Sequence, residues 1–427
     1  MKEWITNRKM LGTTKLRKDA MAIFEAGLDA VETKSVVKEK LKLSGGMLSV
    51  GRKKYNLSKY RRIFVIGIGK ASNQAAHALE EILGDKITDG IVIDVKNGSL
   101  KKIKSITGNH PIPDEVNIRA TGEIIGLLNS LDSQDLLIAI ISGGGSALMC
   151  MPKGVEYGEL QKITKSLSKK GADIRELNTV RKHLSDIKGG QFARMAHPAT
   201  IIGLIFSDVP GDDLSMIASG PTVLDTTTVD DAARVLNKYD VLKSCSVEGC
   251  ELKETPKDPV LFKHVHNSLL VSNTIAVDAM KNKAKKLGYK PRVFSTQLEG
   301  EARSVGKNLA MTTKQGEALI AAGETTVTVR KPGKGGRNQE VALGAMDHLA
   351  EGQLVASLNS DGNDHTPVAG GIGDEVSIAR AEKKGLTAKI ALEQNTSYDF
   401  FQKTRSYFRT GKTGINVSDL MLSLRKK

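Results

Sequence analysis

The sequence predicts an α/β protein of two domains, on three observations. Short runs of β-branched and other apolar residues alternate with segments of helical periodicity. Several of those runs end in glycines that lead into a helix, as strands of a parallel sheet do. With 427 residues, the chain exceeds what one hydrophobic core usually serves. Strands that are apolar on both sides and joined by helices belong in a sheet covered on both faces. The first domain is therefore expected as a three-layer α/β unit with a parallel sheet.

The elements follow in order. Leu16, Met21, Ile23, Phe24, Leu28 and Val31 have helical spacing and predict an opening amphipathic helix over 14–32. Residues 62–70 read as a strand ending in glycines, and 71–83 as the helix after it. Residues 90–95 and 135–141 are further buried-strand candidates, with a helix at 115–128 between them. Helical periodicity dominates 158–195, and 200–206 returns to strand before an acidic turn at 207–213. Residues 244–262, with two prolines, Gly249 and several charges, mark the domain boundary. This gives domains 1–255 and 256–427. The second half predicts strands at 267–271, 291–295, 317–323, 325–330 and 354–359, with helices at 274–287, 300–313 and 338–350. A cleft between two such domains is a usual place for a small-molecule site.

Composition excludes several classes. The net charge of +15 suits a polyanion, but aromatics make up only 4% of the chain, and the Lys/Arg clusters lack the interleaved aromatics that stack bases. No nucleic-acid partner is expected; a small anionic substrate would use the same positive field. No apolar run approaches the length of a membrane span, and the charged N-terminus does not read as a signal peptide, so a cytoplasmic protein is expected. Cys150, Cys245 and Cys250 form no C-x-x-C pair and suggest neither a disulfide framework nor a thiol-rich metal site.

Three glycine-rich turns carry the chemistry. In Gly67-Ile-Gly69-Lys70-Ala71-Ser72, glycines after a strand let amides and a helix N-terminus approach phosphate. Asp94, near the end of the next strand, stands where a ribose-binding acid would fall and keeps an NAD reading open, while Ser72 occupies a position that fingerprint gives to Gly or Ala. Lys70 puts a cation at the positive end of a helix dipole, which is unfavourable unless an anion is bound. The second turn is Ser142-Gly143-Gly144-Gly145-Ser146. Three consecutive glycines imply positive φ or close approach to the backbone, and amides with two hydroxyls can hold phosphate oxygens. It is neither a Walker P-loop nor a nucleophile elbow. In the third, Gly333-Lys-Gly-Gly336-Arg337-Asn338-Gln339-Glu340, the glycines expose amides and Arg337 offers a bidentate grip on carboxylate or phosphate.

Asp208, Asp212 and Asp213 cluster in one turn, Glu324 ends a strand, and Asp361 and Asp364 follow another. Each type can hold a divalent cation or accept a hydroxyl proton. Asp208 and Asp213 are the preferred pair, because their turn begins where a strand ends, at the rim where doubly wound sheets bind ligands. No two histidines have zinc-ligand spacing on a common face.

In order, Val65-Ile-Gly-Ile-Gly-Lys-Ala-Ser72, Gly108-Asn-His-Pro-Ile-Pro-Asp114, Ile141-Ser-Gly-Gly-Gly-Ser-Ala-Leu148, Asn178-Thr-Val-Arg181 with His183-Leu-Ser-Asp-Ile-Lys-Gly-Gly190, Ser207-Asp-Val-Pro-Gly-Asp with Asp213, Ile217-Ala-Ser-Gly-Pro221, Gly323-Glu-Thr-Thr-Val327, Gly335-Gly-Arg-Asn-Gln-Glu340 and Asp361-Gly-Asn-Asp364 resemble the signature blocks of glycerate 2-kinases. The resemblance begins at about residue 14 and runs to the C-terminus, although the tail 398–427 carries no motif. It implies a Rossmann-like N-terminal domain and a smaller C-terminal MOFRL domain, with the active site in the interdomain cleft. It also implies transfer of phosphate from ATP, with Mg²⁺ or another divalent cation, to the 2-hydroxyl of D-glycerate, giving 2-phosphoglycerate and ADP. Within the family the chain looks closest to archaeal-type enzymes of non-phosphorylative Entner-Doudoroff sugar breakdown.

The resemblance matches Lys70 and Arg337 to the family's active-site lysine and arginine. Asn178, Arg181, Glu324, Asn338 and Asp361 join Ser142, Gly143, Gly144, Gly145 and Ser146 as expected nucleotide-binding residues. Asp208 and Asp213 are expected to orient the metal or the 2-hydroxyl. A monomer or homodimer is expected, with no membrane partner. Two other classes stay open: an NAD-dependent hydroxypyruvate reductase, and a non-catalytic protein that binds anions or nucleic acid.

Overall fold

The computed structural model describes residues 2–244 and 250–426, so Cys245 lies outside the described residues. The chain divides into two compact units, 33–270 and 1–32 together with 271–427. The division expected at 255/256 differs from this in two places. The helix Lys15–Asp29 belongs with the C-terminal unit, where the fully buried Arg17 donates to both oxygens of Asp374 at 2.7 Å and to Ser377 and Ser406. Removing one partner of such a buried pair costs about 3–5 kcal/mol, so that helix is firmly held. Residues 256–270 belong with the first unit because they run into Val265–Val271, the edge strand of its sheet.

In the unit 33–270, six strands lie in the spatial order Lys104–Thr107, Asp89–Asp94, Arg62–Ile68, Asp135–Ser142, Thr200–Phe206 and Val265–Val271. The first five pair in parallel. Counted along the chain, this order is 3-2-1-4-5-6, the doubly wound arrangement. Because side chains alternate between faces, Ile66, Ile68, Leu137, Ala139 and Ile141 pack with the helices Glu115–Asn129 and Gln191–Ala196. The helix Ser72–Leu83 packs on Asp89–Asp94, Arg62–Ile68 and Asp135–Ser142. The stretch 158–195 is three helices, Tyr157–Lys169, Ile174–His183 and Gln191–Ala196, interrupted where Gly171, Gly189 and Gly190 take positive φ. An antiparallel sheet of Leu41–Ser44, Met47–Val50 and Lys53–Asn56 precedes the first parallel strand and was not anticipated.

The second unit has a mixed sheet in the order Lys290–Leu298, Glu317–Gly323, Asp419–Arg425, Gln353–Asn359, Gly370–Asp374 and Tyr407–Phe408. The first pair is parallel and the others antiparallel. The strand expected at 325–330 is absent; Thr326 makes a single bridge to Glu301. The reason is steric. Both edges of Glu317–Gly323 are already taken, by Lys290–Leu298 and by Asp419–Arg425. Thus the tail without a motif supplies a central strand. Leu319, Ala321, Val355 and Met421 pack with Val341 and Ala345 of the helix Arg337–Ala345 to form one core of this unit.

Candidate active site

The strand order of the first unit reverses beside Arg62–Ile68 and Asp135–Ser142, and both strands end in one of the glycine turns. In doubly wound sheets, ligands bind outside the carboxyl ends at this point. The two turns are locked together. Ser142 Oγ donates to the Ile68 carbonyl at 3.1 Å and accepts from the Ala71 amide at 3.1 Å, while the Lys70 amide donates to the Gly143 carbonyl at 3.0 Å. The glycines have different reasons. Gly144 has φ +80°, whereas a Cβ on Gly143 would lie 2.0 Å from Asp208 Oδ2 and one on Gly145 2.7 Å from Ala218 Cβ. Only glycine meets all three demands. Lys70 is exposed, and its Cε lies 3.2 Å from where a Gly144 Cβ would stand, next to the His110 ring.

The dipole argument for Lys70 changes in one respect. The buried Asp94 carboxylate accepts from the Asn73 amide at 3.1 Å and the Val95 amide at 2.6 Å. An internal anion therefore answers the helix Ser72–Leu83, and Asp94 is engaged by backbone rather than held out towards a ribose. What singles out Lys70 is its place at the switch point.

Asp208 is at the turn, against Gly143, whereas Asp213 is exposed and accepts from the Ser215 amide at 2.9 Å. Asp212 Oδ1 is buried without a hydrogen-bond partner. Among the described residues no three His, Cys, Asp or Glu side chains cluster as a metal cage. Mg²⁺ at kinase sites is commonly held by only one or two carboxylates plus phosphate oxygens, and Asp208, Asp212 and Asp213 are donors of that type. Asn178 joins the turn through hydroxyls: Ser146 Oγ and Ser219 Oγ are 2.8 Å apart, and Ser219 Oγ donates to Asn178 Oδ1 at 2.9 Å.

A cavity of ≈ 270 Å³ adjoins this turn, lined by His110, Gly144, Ser146, Cys150, Arg181 and Lys188 together with apolar residues. Burial, and secondarily the Lys70 charge, push the His110 imidazole down to about 4, so it is neutral at pH 7. Burial also lowers the Arg181 and Lys188 pKa values from their ordinary ranges.

In the second unit the third turn is organised differently. Arg337 Nε and Nη2 donate to the buried Asp419 at 2.6 and 3.2 Å, and Nη1 donates to Glu324 at 2.5 Å. The helix N-terminus is filled from within, since Asp364 accepts from the amides of Asn338 at 3.0 Å and Gln339 at 2.9 Å. The amides expected to meet a ligand are thus occupied by a carboxylate. Asn338 is buried and bonded to Asp364, Asp419 and Ser357, so it positions neighbours; Asp361 accepts from the Asn363 amide at 2.7 Å. Burial pushes the Asp419 carboxyl up to about 7 against the pull of Arg337 and Asn338.

Sequence reasoning missed Lys188, Ser219 and Asp419 as site residues. Lys188 and Ser219 sat inside blocks already quoted. Asp419 opens the apolar run Leu420-Met-Leu422, a buried-strand signal in the tail.

A doubly wound unit with a cation and an amide-rich turn at its switch point, joined in one chain to a mixed-sheet unit, defines a two-domain α/β class of protein. Family models agree along the chain: a domain of unknown function (DUF4147) matches residues 19–250, and the MOFRL family matches 317–419. The chain is 37% identical to the D-glycerate 2-kinase of Thermotoga maritima over 97% of its own length and 100% of that protein's. It is 36% identical to the glycerate 2-kinase of Pyrococcus horikoshii over 96% and 97%. A relative from Agrobacterium vitis with a provisional hydroxypyruvate reductase name is 37% identical over 84% of this chain and 98% of its own. A crystal structure of glycerate kinase from Thermotoga maritima superposes with a TM-score of 0.82 at 35% identity, covering 96% of this chain and 99% of that one. The chain belongs to the glycerate kinase family.

Proposed function

We infer that this protein is a glycerate 2-kinase, transferring phosphate from ATP to the 2-hydroxyl of D-glycerate to give 2-phosphoglycerate and ADP. The observation that carries this reading is the 37% identity to D-glycerate 2-kinase along 97% of this chain and all of that one. Phosphoryl transfer asks a protein mainly for positioning and for positive charge against the equatorial oxygens. In this proposal the turn 142–146 cradles phosphate oxygens and Lys70 neutralises the transferring group. Arg337, oriented by Glu324 and Asp419, acts on the same reaction with the donors those acids leave over. Mg²⁺ or another divalent cation, held by Asp208 with Asp213 or Asp212 of the same turn, would supply further positive charge when bound. The proposal includes action in the cytoplasm, as a monomer or homodimer, without a nucleic-acid partner. Among the described residues, no helix is long and apolar enough to cross a membrane.

The test is to incubate the chain with Mg·ATP and D-glycerate and couple the product directly to enolase, which accepts 2-phosphoglycerate and not the 3-isomer. ADP with direct enolase turnover is expected. ADP without it would place the phosphate on the 3-hydroxyl, and oxidation of NADH by hydroxypyruvate without ADP formation would favour the reductase. The capping role of Asp94 speaks against that alternative.

A further inference from the structure

The pocket beside the turn 142–146 carries a charge imbalance. Lys188 is 4% exposed, and among the described residues its ammonium donates only to the Met149 carbonyl, at 2.5 Å. Arg181, also partly buried, has no side-chain hydrogen bond or ion pair among the described residues. Burial acts first against the charge of both, and among the described residues no carboxylate is hydrogen-bonded or ion-paired to either. Other buried cations in the molecule are matched: Lys182 by Asp225 at 3.1 Å, and Arg17 by Asp374 at 2.7 Å. Burial in one pocket without an acid disfavours the charged form of both side chains, and an anion arriving there would restore it.

The pocket, of ≈ 270 Å³, has room for a three-carbon acid beside the turn. Pro113, Met151 and Leu160 give it apolar walls, and Gly144 and Ser146 form the wall beside which Lys70 stands. Arg181 lies one helical turn after Asn178, so both project from one face of Ile174–His183 towards the same turn.

We propose that this pocket seats the carboxylate of a short 2-hydroxy acid, with Arg181 and Lys188 as its charge partners and the hydroxyl directed towards the turn 142–146. The inference rests on the kinase reading and moves Arg181 from the nucleotide, where the family resemblance put it, to the acid.

The experiment measures D-glycerate binding by calorimetry in the presence of a non-hydrolysable ATP analogue, for the wild type, Arg181→Gln and Lys188→Met. It also measures KM for glycerate and ATP and a thermal melt. At least tenfold weaker glycerate binding is expected in each variant, with KM for ATP within about twofold of wild type. Glyceramide, which lacks the charge, should bind the wild type weakly and Arg181→Gln no worse. Wild-type glycerate affinity in both variants overturns the proposal, as does a loss confined to ATP. If Lys188→Met does not fold, Arg181→Gln decides alone. Calorimetry separates this idea from the reaction: glycerate bound through Arg181 without turnover would refute the kinase and keep the seat.

Discussion

The two glycine-rich turns that flank candidate cations are built in opposite ways. At 333–340 the protein supplies its own anions: Asp364 fills the helix N-terminus, and Asp419 and Glu324 hold Arg337. At 142–146 the glycines press against Asp208 and Ala218, while Lys70, Arg181 and Lys188 stand near without an acid bonded to them among the described residues. The first arrangement fixes an orientation, and the second is the one proposed to receive a ligand. The same residue types, read as equal candidates in the sequence, thus serve different ends.

The largest effect should separate the two cations. Lys70→Ala is expected to lower kcat/KM by about 10²–10³, the usual worth of a fixed donor aimed at developing charge, with an almost unchanged Tm because the side chain is exposed. Arg337→Ala should lose activity and stability together, because it leaves Asp419 buried without its charge partner. Calorimetric unfolding with steady-state kinetics checks both, and an unchanged Tm in Arg337→Ala would break the contrast. The double variant should lose less than the product of the single losses if both cations act on one complex.

Next in size, Asp419→Ala should destabilise the chain by about 3 kcal/mol, the lower end of the cost of breaking a buried pair, read from denaturant unfolding. Glycerate and ATP affinity should change less than in Lys70→Ala. Gly144→Ala should raise KM about tenfold, since φ +80° disfavours a Cβ that would also crowd His110 at 3.0 Å and Lys70 at 3.2 Å. Unchanged KM values would remove the turn from the site.

A further effect concerns pH. His110 titrates near 4 when folded and near 6.5 when unfolded, so between those values the unfolded chain binds the extra proton. Its contribution is therefore intact above about pH 6.5 and declines as pH falls towards 4. His110→Gln should flatten the stability curve in that window. Lys70→Ala should raise the His110 pKa only partly, because burial is the larger cause. A full return to 6.5 by NMR titration would mean that the Lys70 charge, not burial, sets it.

Much of this was legible where the signal is local. Residues 62–68 and 135–142 announce themselves as apolar runs ending in glycine, so the switch-point turns could be named from the sequence. Asp419 could not be assigned that way, since its role comes from a strand inserted between partners about a hundred and about sixty residues earlier. The alternating 325–330 segment looks like a strand, but both places beside its neighbour are filled. Gly45-Gly46 between 41–44 and 47–50 is a two-residue hairpin signal that was present and unread. Charge compensation was out of reach throughout, because whether Arg337 or Arg181 faces an acid depends on residues distant in sequence.

The most direct test follows ³¹P spectra of the wild type and Lys70→Ala with Mg·ATP and D-glycerate. A 2-phosphoglycerate resonance growing with ADP in the wild type, and nearly absent in the folded variant, is the predicted result. Equal product from both proteins, or phosphate on the 3-hydroxyl, would contradict a glycerate 2-kinase built around the switch-point turn.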